Sequence, residues 1–110
     1  MAKLDFNVLL GNMVNAAKDS LAGNWPAISN LATTSLKTLA HNLIDIEQMR
    51  IDGTITPEQA NLLVDMQKNA LKTVLLSEEG LGLLAAEAAI NAVLDAVKTA
   101  VNAALGFPLI

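Results

Sequence analysis

Apolar residues recur at spacings of three and four along most of the chain, which is the pattern of helices that bury one face. Alanine and leucine dominate, β-branched residues are scattered, and we find no credible strand. These features predict an all-α fold in which three or four helices form a bundle or hairpin. A length of 110 residues is typical of one domain, and we expect a single helical domain over residues 1–110.

The first two helices are separated by a short polar break. The first helix is predicted from about Leu4 to Leu21, with four residues near one face: Leu4, Val8, Met13 and Ala17. Gly23 and Asn24 break it, and Asn24 is a candidate cap for a second helix from about Pro26 to Arg50. The buried stripe expected on that second helix comprises Ile28, Leu31, Ala32, Leu36, Leu39, Leu43 and Ile46.

The segment IDGTITPEQA, residues 51–60, resembles the second half of a calcium-binding EF-hand loop. With Gly53 as the central glycine, however, Arg50 and Gln59 occupy ligand positions that need oxygen donors and a bidentate glutamate. A connection between helices fits better. Gly53 can end one helix in the left-handed conformation, and Thr56 and Gln59 can form a capping box around Pro57 at the start of the next.

The third helix is predicted to begin at Pro57, and its end is ambiguous. Its expected inner side comprises Ala60, Leu63, Val64, Gln67, Ala70, Leu71 and Val74, with Asp65, Lys68 and Lys72 on the other side. The segment from Ser77 to Gly82 contains two glycines, which suit a turn, and a serine that can cap a new helix. Because few loop residues are present, we expect a kink or a near-continuous helix rather than a reversal.

The last helix, predicted from Leu81 to Leu105, is apolar around most of its circumference. Its polar residues form one narrow stripe: Glu87, Asn91, Asp95, Lys98, Thr99 and Asn102. Ala89 and Val93 lie on a side away from Asn91. A helix of this kind must be covered on several sides. We expect that neighbouring chains cover part of it and that an apolar tail from Phe107 to Ile110 contributes to the same contacts.

Composition points in the same direction. The chain is 53% hydrophobic and only 16% charged, although a small protein has a large surface to solvate. Such an excess of apolar surface usually meets a partner, a membrane or a ligand. Seven basic residues stand against eleven acidic ones in 110 residues, without a basic stripe, which argues against nucleic-acid binding.

Residue types that carry chemistry are sparse. The chain has no cysteine and one histidine, His41, which could bind a metal or haem only together with Met13, Asp45 or Met49. Asp45 and Glu47 point to different helix faces and do not form an acid–base pair. Glycine-rich phosphate loops and metal-ligand spacings are absent from the sequence. We therefore predict no catalytic, metal or cofactor site, and a protein that is not an enzyme.

The leading hypothesis is a self-associating helical protein, the structural subunit of a homo-oligomer or filament, assembled through Leu81 to Leu105 and Phe107 to Ile110. The alternative is a helical protein that binds a membrane surface or an apolar ligand. The acidic charge and the scarcity of Lys and Arg in the polar stripe weigh against a membrane surface. The N-terminal sequence lacks the unbroken apolar core of a signal peptide, and no run is long enough for a conventional spanning helix, so we expect a cytoplasmic protein.

Overall fold

The computed structural model describes residues 3–110, so Met1 and Ala2, the first two residues of the predicted domain, lie outside the described residues. The fold is all-α, as predicted. Four α-helices follow one another: α1 (Phe6–Leu21), α2 (Trp25–Asp52), α3 (Pro57–Leu76) and α4 (Leu83–Leu105). A 3₁₀ turn, Ala22–Asn24, joins α1 to α2. At about 1.5 Å per residue α2 is about 42 Å long, and it spans the 43 Å long axis of the molecule.

The helices form a bundle in which α1 packs against α2 and α4, and α3 packs against the same two helices. One continuous core fills the centre, with residues from all four helices. Its fully enclosed large side chains include Met13 of α1, Leu36 and Leu43 of α2, Leu75 of α3 and Val97 of α4. Burial of these apolar side chains is the main force that holds the bundle together.

The inner face of α1 contains Met13 and Ala17 as predicted, but Leu9 takes the place expected for Val8. Asp5 caps the helix by accepting a hydrogen bond from the Val8 backbone amide, and α1 begins at Phe6 rather than Leu4. The buried residues are then Leu9, Met13, Ala17 and Leu21, spaced by four. Val8, which we expected on the inner face, is 60% exposed.

Two predictions for α2 are also wrong. Asn24 has a right-handed helical backbone conformation, so its side chain makes no capping hydrogen bond, whereas Pro26 does lie in the first turn as predicted. Leu31 is 58% exposed although the rest of the predicted stripe is buried. The buried face of α2 also includes Ala40 and Glu47, which the predicted stripe did not contain.

The connection from α2 to α3 confirms the predicted helix hinge. Gly53 ends α2 with φ +74°, a left-handed conformation in which a residue with a side chain would be strained. The Thr56 hydroxyl accepts from the Gln59 amide at 3.1 Å, and the Gln59 side chain accepts from the Thr56 amide at 2.9 Å. Pro57 and Glu58 complete the first turn of α3. This capping box satisfies two amides that would otherwise lack partners.

The segment from Ser77 to Gly82 is a turn, so our expectation of a kink is wrong. α3 ends at Leu76 and α4 runs back along it, as the ion pair between Lys72 and Glu87 shows. The reversal is tight because Gly80 adopts φ +88° and the Leu81 amide donates to the Glu78 carbonyl at 3.1 Å. Leu81 itself is buried and anchors the turn to the core.

Candidate functional site

The surface of α4 that points to solvent is the feature that bears most directly on function. The bundle covers one side of the helix, where these residues are buried: Ala86, Ala89, Ile90, Val93, Leu94, Val97, Val101 and Leu105. The opposite side carries the predicted polar stripe next to a row of exposed small residues. We call this opposite side the outer face of α4; it comprises Leu84, Ala85, Glu87, Ala88, Asn91, Asp95, Ala96, Lys98, Thr99, Ala100 and Ala103.

The side of α4 that we expected to contact neighbouring chains is therefore not the side that is exposed. Ala89 and Val93, on the side expected to meet neighbouring chains, are each only 1% exposed and lie in the core of their own chain. α1 and α3 supply the neighbours that the apolar side of α4 requires. The surface of α4 that is available to another molecule thus lies on the outer face, where alanines stand beside the polar stripe.

Leu84 is the most prominent apolar side chain of the outer face. It is 84% exposed in the first turn of α4. Leu83 beside it and Leu76 at the end of α3 are also exposed, so three leucines surround the turn between these helices. An exposed cluster of large apolar side chains is typical of a contact surface rather than of a solvated helix end.

The outer face carries charged groups of both signs, Glu87, Asp95 and Lys98. The Glu87 carboxylate lies 3.4 Å from the Lys72 ammonium of α3, and the two side chains are partly exposed. Asp95 and Lys98 form no ion pair with another group of residues 3–110. Glu87 and Lys98 are eleven residues apart, about three helical turns, so both project from the same side of α4.

A groove separates α3 from α4 beside the outer face. It consists of two adjoining cavities of about 180 and 340 Å³, and both are lined by Lys68 and Asn91. Ile90 and Leu94 are buried at its floor, and Lys72, Glu87 and Lys98 lie along its edges. The larger cavity is at the small end of the range for ligand pockets, and its lining contains as many charged as apolar residues, four of each.

The C-terminal tail folds back onto its own chain. The Asn102 amide nitrogen donates to the Ile110 carbonyl at 2.7 Å. Its oxygen accepts from the Leu109 and Ile110 amides at 2.9 and 3.1 Å. Leu109 is buried. The apolar tail that we assigned to contacts between chains therefore packs within its own chain. The sequence did not reveal this contact, because the groups of the tail that bind Asn102 are backbone groups.

Arg50 at the end of α2 supports the same tail. Its Nε donates to the Leu105 carbonyl at the end of α4, at 3.2 Å, and its guanidinium lies 5.7 Å from the centre of the Phe107 ring. A cation at a helix C-terminus stabilises carbonyls that lack helical partners, and a cation over an aromatic face is attracted to it. Arg50 thus joins the ends of α2 and α4 and has a structural role.

Glu47 is a buried acid that the sequence analysis did not single out as structural. It is 1% exposed, and its two oxygens accept from the Lys3 and Leu4 backbone amides at 2.8 and 3.2 Å. A buried carboxylate requires such donors. The only signal in the sequence is its position, four residues after Leu43 and next to Ile46, on the buried side of α2.

His41 lies against an aromatic ring rather than among metal ligands. Its imidazole stacks on Phe6 of α1, with ring centroids 4.2 Å apart and an angle of 23° between the planes. Met13, one of its proposed companions, is enclosed in the core. Within residues 3–110 no three side chains of His, Asp or Glu come close enough together to hold a metal ion.

Comparison with protein-family models, with curated proteins and with solved structures found no match. Across residues 3–110, no helix combines the length and the apolar character that crossing a membrane requires. The function is therefore inferred from the geometry of the outer face of α4 and its surroundings.

Proposed function

We propose that this chain is a non-enzymatic structural protein that associates with copies of itself through the outer face of α4. The observation that carries the proposal is Leu84, a large apolar side chain that is 84% exposed in the first turn of a face otherwise made up of alanines and polar residues. Exposure of such a residue to water is unfavourable, and its burial against a second chain would be favourable.

The alanines support this proposal by their size. Ala85, Ala88, Ala96 and Ala103 are exposed and follow one another mostly at spacings near two helical turns or one. Small side chains let two helices approach to about 8 Å between axes, at the short end of the usual range. A face of this kind can make many close contacts with another helix, and its alanine side chains gain little from contact with water.

The exposed apolar residues outside α4 are weaker evidence for self-association. Leu31 on α2 and Leu62 and Met66 on α3 are exposed singly or in pairs, as is common on monomeric proteins. The face of α4 differs because a row of exposed alanines accompanies Leu84 on one helix. The cytoplasmic location expected from the sequence remains a prediction.

The proposal is tested by size-exclusion chromatography with light scattering on the wild-type chain and on Leu84→Glu. We expect a wild-type mass above the 11.6 kDa of one chain. We expect a mass close to that of the single chain for Leu84→Glu. A glutamate suits the first turn of a helix, so the change should leave the fold intact, which circular dichroism would verify.

Leu31→Glu is the matched control, because Leu31 is also a largely exposed leucine on a helix, but on α2. It should retain the wild-type mass. The same samples should be mixed with liposomes of neutral and of anionic lipids. A wild-type chain that is monomeric in buffer and floats with liposomes would favour the membrane-binding alternative and overturn this proposal.

A further inference from the structure

The connection between α2 and α3 forms a groove of its own, with a volume of about 300 Å³. We call it the hinge groove; it is lined by Met49, Thr54, Ile55, Gln59, Leu62 and Leu63. It shares no lining residue with the groove between α3 and α4. Four of its six residues are large and apolar, so the hinge groove offers mainly apolar contacts to another molecule.

The apolar surface extends beyond the groove along α3. Leu62 is 62% exposed, and Met66, one helical turn later, is 57% exposed, so the two side chains are neighbours on the helix surface. A pair of exposed apolar residues is ordinary by itself. Here the pair continues the apolar lining formed by Met49 and Ile55. The two methionines can also adapt their shape to a partner, because their side chains are unbranched and flexible.

Hydrogen bonds of the hinge hold the walls of the groove in place. The backbone amide and the hydroxyl of Thr54 both donate to the Met49 carbonyl, at 2.9 and 3.3 Å. The Gln59 side chain is fixed by the capping box with Thr56. A surface that is already ordered loses less conformational entropy when a partner binds. The hinge groove is therefore preformed.

Exposed carboxylates border this apolar surface on both sides: Asp45, Asp52, Glu58 and Asp65. The first two lie four residues before and three after Met49 on α2, and the other two have the same spacings from Leu62 on α3. Residues at these spacings are neighbours on a helix. Within residues 3–110 only Asp65 of these four forms an ion pair, with Lys68 at 3.8 Å. The border of the hinge groove is therefore negative.

We propose that the hinge groove, together with Met66, binds an amphipathic helix of a partner protein. Its apolar side chains would lie against Leu62 and Met66, and its Lys or Arg side chains would pair with the four carboxylates. An amphipathic helix in an apolar groove is a common mode of recognition. The carboxylates disfavour a second copy, which carries the same charges and a net charge of −4, and they also disfavour an anionic lipid surface.

Fluorescence anisotropy with a labelled model peptide on the full chain tests the proposal. The probe is the leucine–lysine peptide LKKLLKLLKKLLKL, and its matched control is LEELLELLEELLEL, which has the same apolar pattern with glutamate for lysine. We expect saturable binding of the basic peptide with a dissociation constant of about 1–100 μM, and binding of the acidic peptide at least about tenfold weaker. Absence of binding, or equal binding of both peptides, would overturn the proposal.

A pair of double variants tests the apolar contact. Leu62→Lys/Met66→Lys should raise the dissociation constant of the basic peptide at least about tenfold, because apolar contact is lost and like charges repel. Val8→Lys/Leu31→Lys is the control, since these residues are 60% and 58% exposed on α1 and α2. It makes the same change of charge and should stay within about twofold of the wild type. Equal losses in both variants would overturn the proposal, and circular dichroism would verify that each is folded.

A second pair tests the carboxylates. Asp52→Asn/Glu58→Gln removes two charges beside the groove and should raise the dissociation constant of the basic peptide about fivefold. Asp19→Asn/Glu79→Gln removes two exposed charges at the other end of the bundle and should change it less than twofold, about the limit of a screened long-range effect. Equal effects of the two pairs would show that only net charge matters, which would contradict the proposed site.

The methionine methyl groups locate the peptide without any substitution. In ¹³C-methyl spectra the signals of Met49 and Met66 should shift when the basic peptide is added, whereas that of Met13, enclosed in the core, should not. Binding that leaves Met49 and Met66 unshifted would place the peptide elsewhere and overturn the inference. The inference does not rest on self-association: Leu84→Glu should bind the peptide within about twofold of the wild type, whether or not the wild-type chain associates.

Discussion

The hydrogen bonds of Asn102 should couple energetically to the four residues of the tail, Phe107 to Ile110, and a double-mutant cycle can measure that coupling. The two variants are Asn102→Ala and a chain truncated after Gly106. In the structure the Asn102 side chain makes three hydrogen bonds, all to the tail. If these bonds dock the tail in solution, each change should remove the same interaction.

The expected magnitude follows from opposing contributions. Three hydrogen bonds contribute about 3 kcal/mol in total, and burial of Leu109 contributes about 2 kcal/mol more. Ordering the backbone of these residues, one of which is a proline, costs about 3–5 kcal/mol. The net docking free energy is therefore about 1 kcal/mol, up to about 2 kcal/mol with the contact between Arg50 and Phe107.

This small net value limits the effect of any single change. Once docking is lost, the tail simply leaves the surface and the bundle remains folded. Asn102→Ala and the truncation should thus each lower the free energy of unfolding by about 1–2 kcal/mol, and the double change should lower it no further. Urea unfolding followed by circular dichroism would show a midpoint lower by roughly 0.5–1 M in each case.

The control is Asn61→Ala, at an exposed position of α3. It measures the gain in helix propensity that any Asn→Ala change brings, about 0.5 kcal/mol, and that gain should be added to the observed loss for Asn102→Ala. All variants should be compared at one low protein concentration, because association shifts apparent stability. Losses for Asn102→Ala and the truncation that simply add in the double variant would refute the coupling.

Three further predictions concern the hinge and the core. Thr56→Ala should lower the free energy of unfolding by about 1 kcal/mol, whereas Thr56→Asp should be neutral or stabilising; thermal melts that are unchanged for both would show that the capping box contributes nothing. Millimolar Ca²⁺ should leave the melting temperature unchanged, because Arg50 and Gln59 stand where an EF-hand loop needs oxygen ligands; a rise of several degrees would contradict the hinge interpretation. Val93→Asp should unfold the chain rather than merely dissociate it, since the new carboxylate would be buried without a partner; retention of full helicity by circular dichroism would contradict the burial of Val93.

The connection between α2 and α3 depends on local chemistry and was predictable from the sequence, whereas the predicted cap at Asn24 was wrong. Thr56, Pro57 and Gln59 define a helix start through hydrogen bonds within four residues, and the structure reproduces each of them. The left-handed glycine at Gly53 is a property of one residue. Such features do not depend on how the helices pack, so a sequence pattern suffices.

The parts that depend on packing were predicted less well. A spacing of three and four does not define the edges of a buried stripe, which is why Val8 and Leu31 were expected inside. Gly80 and the hydrogen bond from Leu81 to Glu78 make the turn after Leu76 tight. The turn was misjudged because the sequence does not show that Leu81 enters the core, where it packs with residues distant in sequence.

The candidate site was predictable only in outline. The narrow polar stripe of α4 could be derived from helical spacing, and the exposed positions Glu87, Asn91 and Asp95 follow it. Which apolar side of the helix remains free depends on where α1 and α3 lie, and no periodicity within α4 contains that information. Ala89 was therefore assigned to an interface although it belongs to the core.

Sedimentation equilibrium of the wild-type chain, without lipid and over a range from micromolar to millimolar concentration, tests the central claim of self-association most directly. The account predicts a weight-average mass that rises with concentration from that of one chain, 11.6 kDa, towards a multiple of it. It also predicts that Leu84→Glu lowers this mass while Leu31→Glu does not. A wild-type mass that stays at 11.6 kDa throughout the range would contradict it.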